Sequence, residues 1–167
     1  MVNFLYKIAI IIGIINLTLS CTTNSDNQQN SDAIYKPAMN YNYNSIELET
    51  MNQINEYRNS IGLNALDTIN HVSFKSEEHN NYMIDKNVIS HDNFVNRSEN
   101  IIKVVDAKKV SENVAYNYNS PQGVLEAWLN SPGHKKNIEG DYTHFGISVR
   151  KHPINGRKYY TNIFVKL

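Results

Sequence analysis

The sequence predicts an α+β fold, with helices through the first two thirds of the domain and strands at its end, layered around one sheet. Three observations carry this. Met51, Ile54, Tyr57 and Ile61 recur at three- and four-residue steps, the spacing of a buried helix face. The period changes to loose alternation over Thr143–Arg150 and Tyr159–Val165, as in half-buried strands. Between those two runs, Pro153-Ile-Asn-Gly-Arg157 contains an Asn-Gly turn dipeptide, so a hairpin is expected.

The elements follow in order. A first helix runs from Ile46 to Ile61 and stops at Gly62, and Leu63 and Leu66 cross the connection. Asp67 or Thr68 is the expected cap of a second helix reaching about Lys86, whose weaker stripe is Ile69, Val72, Phe74, Tyr82 and Met83. Asn87 to Lys109 has few regular signals and reads as a long connection, a kind of segment that often carries function. Ser111 to Tyr118 reads as a short strand or a helix start. Ser120-Pro121 opens a third helix with Val124, Leu125 and Trp128 on one side, and Ser131-Pro132-Gly133 opens a further short turn of helix.

The chain has 167 residues, enough for one domain and a short appendage. Sixteen basic and sixteen acidic residues cancel, so no global field draws nucleic acid. With 41% apolar residues a small core is expected rather than wholesale disorder. The single cysteine, Cys21, excludes an intrachain disulfide, so the core must hold the fold alone.

Cys21 ends a telling N-terminus. Lys7 supplies a positive region, Ile8 to Leu19 an apolar run too short for a comfortable membrane span, and Ser20 a small residue before the cysteine. This reads as a lipoprotein signal over residues 1–20, cleaved before Cys21, which becomes the lipidation site. Thr18 stands where leucine is usual, and a plain signal peptide or an uncleaved anchor are the alternatives. Two acyl chains would anchor the protein stably, since one chain binds only marginally. Residues 21–44, rich in Asn, Ser and Gln, read as a flexible tether, and residues 45–167 as the domain. Tyr41 and Tyr43 are placed to pack on the domain already. The expected location is the cell envelope, outside the cytoplasm, in the periplasm or at the surface, with the membrane as a partner through Cys21. A monomer is expected.

The residues that could carry chemistry are His91 in the irregular segment, Glu112 before Val114-Ala115, and His134 in the first turn of its short helix. A helix N-terminus disfavours the imidazolium, so His134 should be neutral. Two imidazoles and a carboxylate make a sound ligand set for a divalent cation such as zinc, with water in the fourth position. Spacing alone is weak support: there is no HExxH, no short-spaced ligand pair and no GxSxG. Ser131 could be imagined as a nucleophile, but its place before Pro132 fits an N-cap better. His144 could edge the cleft. His79 is expected to face inward as a buried hydrogen-bonding group, and His71 and His152 to be structural or solvated. Trp128 is read as core, and Glu77-Glu78 and Lys108-Lys109 as solvated faces.

From about Ile46 to its end the chain resembles the CAP superfamily (cysteine-rich secretory proteins, antigen 5 and pathogenesis-related 1 proteins) in its disulfide-free bacterial form. The matching pieces come in the family's order. They are Asn55-Glu56-Tyr57-Arg58 running into Gly62-Leu63-Asn64-Ala65-Leu66, His79 and Met83, Ser90-His91-Asp92, Arg97, Glu112-Asn113-Val114-Ala115, Trp128-Leu-Asn-Ser-Pro-Gly-His134 with Asn137-Ile138, Thr143-His144-Phe145-Gly146-Ile147, and Tyr159-Tyr160 to Phe164. The resemblance implies a three-layer α-β-α sandwich with a cleft lined by two histidines and two acidic residues. His91, Glu112 and His134 match three of these, while Ser131 stands at the place of the second glutamate, so one carboxylate is absent. Members have been linked to sterol or lipid binding, to signalling and, less securely, to proteolysis. Two readings follow: a binding module whose cleft takes a small or lipid ligand, a cell-envelope partner or a divalent metal, or a metal-dependent hydrolase with Glu112 as the candidate catalytic base. The hydrolase reading requires the three side chains to converge on one point.

Overall fold

A computed structural model of the chain describes residues 37, 38 and 40–167. Cys21, the leader and most of the tether lie outside the described residues. Among those described, no helix is long and apolar enough to cross a membrane.

The element order is α1 (Ser45–Ser60), β1 (Asp67–Thr68), α2 (Asn70–Lys86), α3 (Phe94–Val105), β2 (Lys109–Tyr116), α4 (Pro121–Leu129), α5 (Pro132–Ile138), β3 (His144–Lys151) and β4 (Lys158–Lys166). The sheet order is β1-β3-β4-β2, so β2 is an edge strand. β1 runs parallel to β3, and the other pairs are antiparallel. Helix α2 packs on β3 and β4, with α3 beside it against β2. Helices α1, α4 and α5 cover the other face. The three layers follow from strand alternation. On β2, Glu112 and Val114 belong to one face, and Asn113 and Ala115 to the other, where Ala115 joins Ile54, Trp128, Ile147 and Phe164 in the main core.

Two expectations are corrected. Asp67 and Thr68 do not cap α2: they are spent as β1 on the edge of β3, and the N-cap is Ile69, which has no side-chain cap bond. The amides of Asp67 and Ile69 donate to the carbonyls of Thr143 and Phe145, and the Val72 and Ser73 amides of α2 turn back to the Ile69 carbonyl. The segment 87–109 is not a continuous loop, because it contains α3. That helix begins after left-handed Asn93 and ends at left-handed Asp106, with no side-chain cap, so the usual boundary signals are absent. One of its two buried residues is Arg97, which breaks an apolar stripe.

Other elements form where expected. Asn44 caps α1 in a reciprocal box with Glu47. Ser120 caps α4, with Pro121 in its first turn. Ser111–Tyr118, open between strand and helix, falls within β2 and the residues just beyond it. The hairpin closes through Gly156 at φ 67°, with the His152 imidazole accepting from the amides of Ile154 and Asn155. At Gly146 a Cβ would lie 2.4 Å from the Ser73 amide nitrogen, so α2 touches the sheet backbone to backbone there.

Charged residues also lie in the interior, each with partners. The Glu47 carboxylate, fully buried, accepts from the Val149 amide, the Arg150 guanidinium and the Tyr41 hydroxyl. Arg58, also fully buried, donates to the carbonyls of Asn64, Ile138 and Gly140 and so staples α1 to the chain after α5. Tyr43 packs as well, its hydroxyl 2.7 Å from Ser73 Oγ.

Candidate functional site

The site is built around the Glu112 carboxylate, whose side chain is 1% exposed. Arg97, reaching across from α3, grips it as a fork: Nε donates to Oε2 at 2.8 Å and Nη2 to Oε1 at 2.9 Å. His91 Nδ1 lies 2.8 Å from Oε1. An ionised carboxylate only accepts, so Nδ1 carries the proton and Nε2 is the nitrogen turned away from Glu112. His91 is half exposed.

The loop bearing His91 is clamped from both sides. Buried His79 donates from Nε2 to the Ser90 carbonyl at 2.8 Å, Arg97 Nη1 donates to the Asp92 carbonyl, and the Tyr82 hydroxyl donates to the Asp92 carboxylate. His79 Nε2 is also 3.8 Å from Glu112 Oε1, and its ring stacks on Tyr82. The inward placement expected for His79 is therefore found.

His134 arrives from the other side of the edge strand. Asn137 donates to the Glu112 carbonyl and to Asn113 Oδ1, Asn113 donates to the His134 carbonyl, and Trp128 Nε1 donates to the Val114 carbonyl at 3.0 Å. Side chains of α4 and α5 thus cap the exposed carbonyls of β2, protecting an edge that would otherwise invite pairing. The His134 ring shares a concavity of about 280 Å³ with Tyr116, Tyr118, Trp128 and Ser131. Burial, then the charge of His91, holds its pKa below the ordinary imidazole value, which favours the neutral ring.

The sequence-predicted residues are therefore only partly brought together. His91 and Glu112 touch, and His134 lies within electrostatic reach of His91 but lines its own concavity. Ser131 occupies the N-cap position of α5, but its side chain makes no cap bond. His144 sits two strands from β2, its Nδ1 2.8 Å from Thr143 Oγ1, in the register row of Val165 and Asp67. Sequence reasoning missed Arg97 as a site residue, because it lay in a stretch read as loop. Its place among the family-matching segments, between His91 and Glu112, was the signal that could have found it.

A three-residue metal centre does not fit these side chains. Among the described residues no group of three His, Cys, Asp or Glu is arranged to hold a metal ion. Both Glu112 oxygens are already occupied by Arg97 and His91.

Burial pushes the His71 and His79 imidazoles below their ordinary value of 6.5, with Glu112 pulling His79 partly back. Both stay neutral in the fold at a pH where the unfolded chain takes up protons. The stability they contribute is fully present above about pH 6.5 and is lost as pH falls toward their folded values. Urea unfolding midpoints measured from about pH 7.5 down to about pH 5 should therefore decline, and the decline should shrink in His79→Gln. A flat midpoint would mean that both imidazoles ionise as readily folded as unfolded.

The comparisons with known proteins agree with this architecture. The profile of the cysteine-rich secretory protein family, CAP, matches residues 51–165. The uncharacterized membrane protein YlbC of Bacillus subtilis (strain 168) is 46% identical over 63 residues, 37% of this chain and 16% of YlbC, so this chain spans only a small part of that relative. The extracellular protein containing an SCP domain from Bacillus anthracis str. Ames is 26% identical, with a TM-score of 0.62, over 77% of this chain and 45% of that one. An outer surface protein from Borrelia burgdorferi superposes with a TM-score of 0.62 at 22% identity, over 70% of this chain and 88% of that one, which shows a shared fold. With the profile covering most of the sequence and the same layered sheet present, this chain belongs to the cysteine-rich secretory protein (CAP) family.

Proposed function

We propose that this protein is a lipid-anchored, extracytoplasmic binding module, non-catalytic, whose surface at His91 and in the neighbouring His134 concavity takes a small or lipid ligand of the cell envelope. The observation that carries this reading is the commitment of Glu112. Its carboxylate, 1% exposed, serves as the fixed acceptor that orients His91 and pairs Arg97, so neither oxygen is presented to solvent water. The Nε2 of His91 and the neutral His134 ring remain as hydrogen-bonding groups at this surface. The leader ending at Cys21 supports the anchor, and similarity to an outer surface protein and to an extracellular protein supports the location. The hydrolase reading has no comparable support: its base is engaged, and the second carboxylate is replaced by Ser131.

The test uses the full chain in detergent. Zinc titration calorimetry should give at most weak binding, abolished in His91→Ala/His134→Ala, because two imidazoles lack the third protein ligand of a firm site. A casein digestion assay with and without zinc should show no turnover. Metal-dependent turnover that disappears in His134→Ala would overturn the binding-module reading.

A further inference from the structure

Lys108-Lys109 and Lys135-Lys136 are far apart in sequence, and each pair by itself reads as a solvated face. The fold brings Lys109, Lys135 and Lys136 around one groove of about 740 Å³ between α5 and the start of β2, with Ser111, Asn137 and Tyr142 on its walls. In the sheet register Lys109 stands directly opposite Lys166, a like-charge cross-strand pair that is unfavourable by itself. Intramolecular compensation is partial. Lys166 is paired with Asp141 at 2.7 Å, and the Lys109 ammonium lies 4.4 Å from the centre of the Tyr142 ring. Lys135 reaches Glu139 only at 3.7 Å, and the same carboxylate accepts a 2.6 Å bond from the Tyr57 hydroxyl. Lys136 has no carboxylate partner among the described residues. Glu139 is the one acidic residue in the lining, against three lysines, in a chain whose net charge is zero. The Ser111 hydroxyl on the wall is buried and has no hydrogen-bond partner.

A concave, cationic surface with an aromatic wall and one carboxylate in its lining is complementary to a polyanion. Three ammonium groups spread along a groove, rather than a rigid guanidinium fork, suit repeated point charges held at variable spacing. We propose that this groove binds phosphodiester groups, presented either by an anionic phospholipid headgroup or by a soluble polymer of glycerol phosphate. The site is separate from the surface at His91 and His134 and does not depend on what that surface does.

Binding would be measured with the full chain in neutral detergent, with two arms. One adds soluble poly(glycerol phosphate). The other dopes the micelles with phosphatidylglycerol, with phosphatidylcholine as the uncharged reference. Binding is expected in at least one arm, and which arm responds identifies the source of the phosphodiester. Affinity should fall roughly tenfold or more in Lys109→Gln/Lys135→Gln/Lys136→Gln, since three charges are removed from one groove. It should fall comparably for the unaltered chain when salt is raised from about 50 to about 500 mM, because exposed charges are screened. All three lysines are exposed, so the variant should keep its unfolding midpoint. His91→Ala/His134→Ala should bind as the unaltered chain does, which separates this site from that surface. No binding in either arm, or binding that is indifferent to the three lysines and to salt, would overturn the proposal. Salt-independent binding by the unaltered chain would overturn the proposal even if the triple variant folds poorly.

Discussion

Replacing Arg97 with alanine is expected to lower the unfolding free energy by about 3–5 kcal/mol, the scale for removing one partner of a buried ion pair. Arg97 is 8% exposed and the residue it grips, Glu112, 6%. With the fork gone, a buried carboxylate keeps only His91 and the more distant His79 as polar neighbours. The loss is large against a typical total of about 5–15 kcal/mol. Arg97→Lys should recover little, since one ammonium cannot bridge both oxygens. The measurement is urea unfolding followed by the fluorescence of Trp128, the only tryptophan. A double-mutant cycle with Glu112→Gln isolates the pair, and the cost of Arg97→Ala should be much smaller on that background. A single-variant loss under about 1 kcal/mol would put the pair on the scale of an exposed salt bridge and remove the argument that Glu112 is committed. The substitution also releases the Asp92 carbonyl, so amide exchange in the loop around His91 should quicken with it.

Trp128→Ala is expected to cost about 3–5 kcal/mol, from lost burial and the cavity left behind. Trp128 is 1% exposed and sits in the core cluster with Leu125, Ile138 and Tyr160. Its indole nitrogen also caps the Val114 carbonyl on the edge strand, so truncation uncovers an acceptor as well as opening space. Trp128→Phe should recover most of the packing and none of the hydrogen bond, which apportions the two effects. Far-UV circular dichroism through a urea series is the readout, because the fluorophore is removed. A cost below about 1 kcal/mol for the alanine variant would mean that α4 is not docked on the sheet as described.

Much of the fold was legible beforehand. The α1 stripe, the Asn-Gly hairpin and the Ser120-Pro121 start are local signals, and local physics suffices to read them. The family segments carried His91, Glu112 and His134 into view together. What stayed hidden had a nonlocal cause. Asp67 and Thr68 look like helix caps until β3, far along the chain, pairs with them. Helix α3 lacks capping side chains, and its key inward residue is charged, so periodicity of apolar residues passes over it.

By itself the sequence determined most of where hydrocarbon is buried, because apolar period, capping residues and turn dipeptides act within a few residues of chain. Ile61 and Phe74, read into the stripes of α1 and α2, are exposed, because the packing of the described residues leaves them uncovered. The tertiary structure decided what each polar group is paired with. Glu112 could equally have been a free base or a ligand. In the fold Arg97, 15 residues away, and His91, 21 residues away, come onto its two oxygens. Lysines from two separate elements become one groove only when β2 and α5 come together. Hydrophobic burial is nondirectional and leaves a periodic trace in the chain, whereas a hydrogen bond or ion pair is settled by geometry at the point of contact.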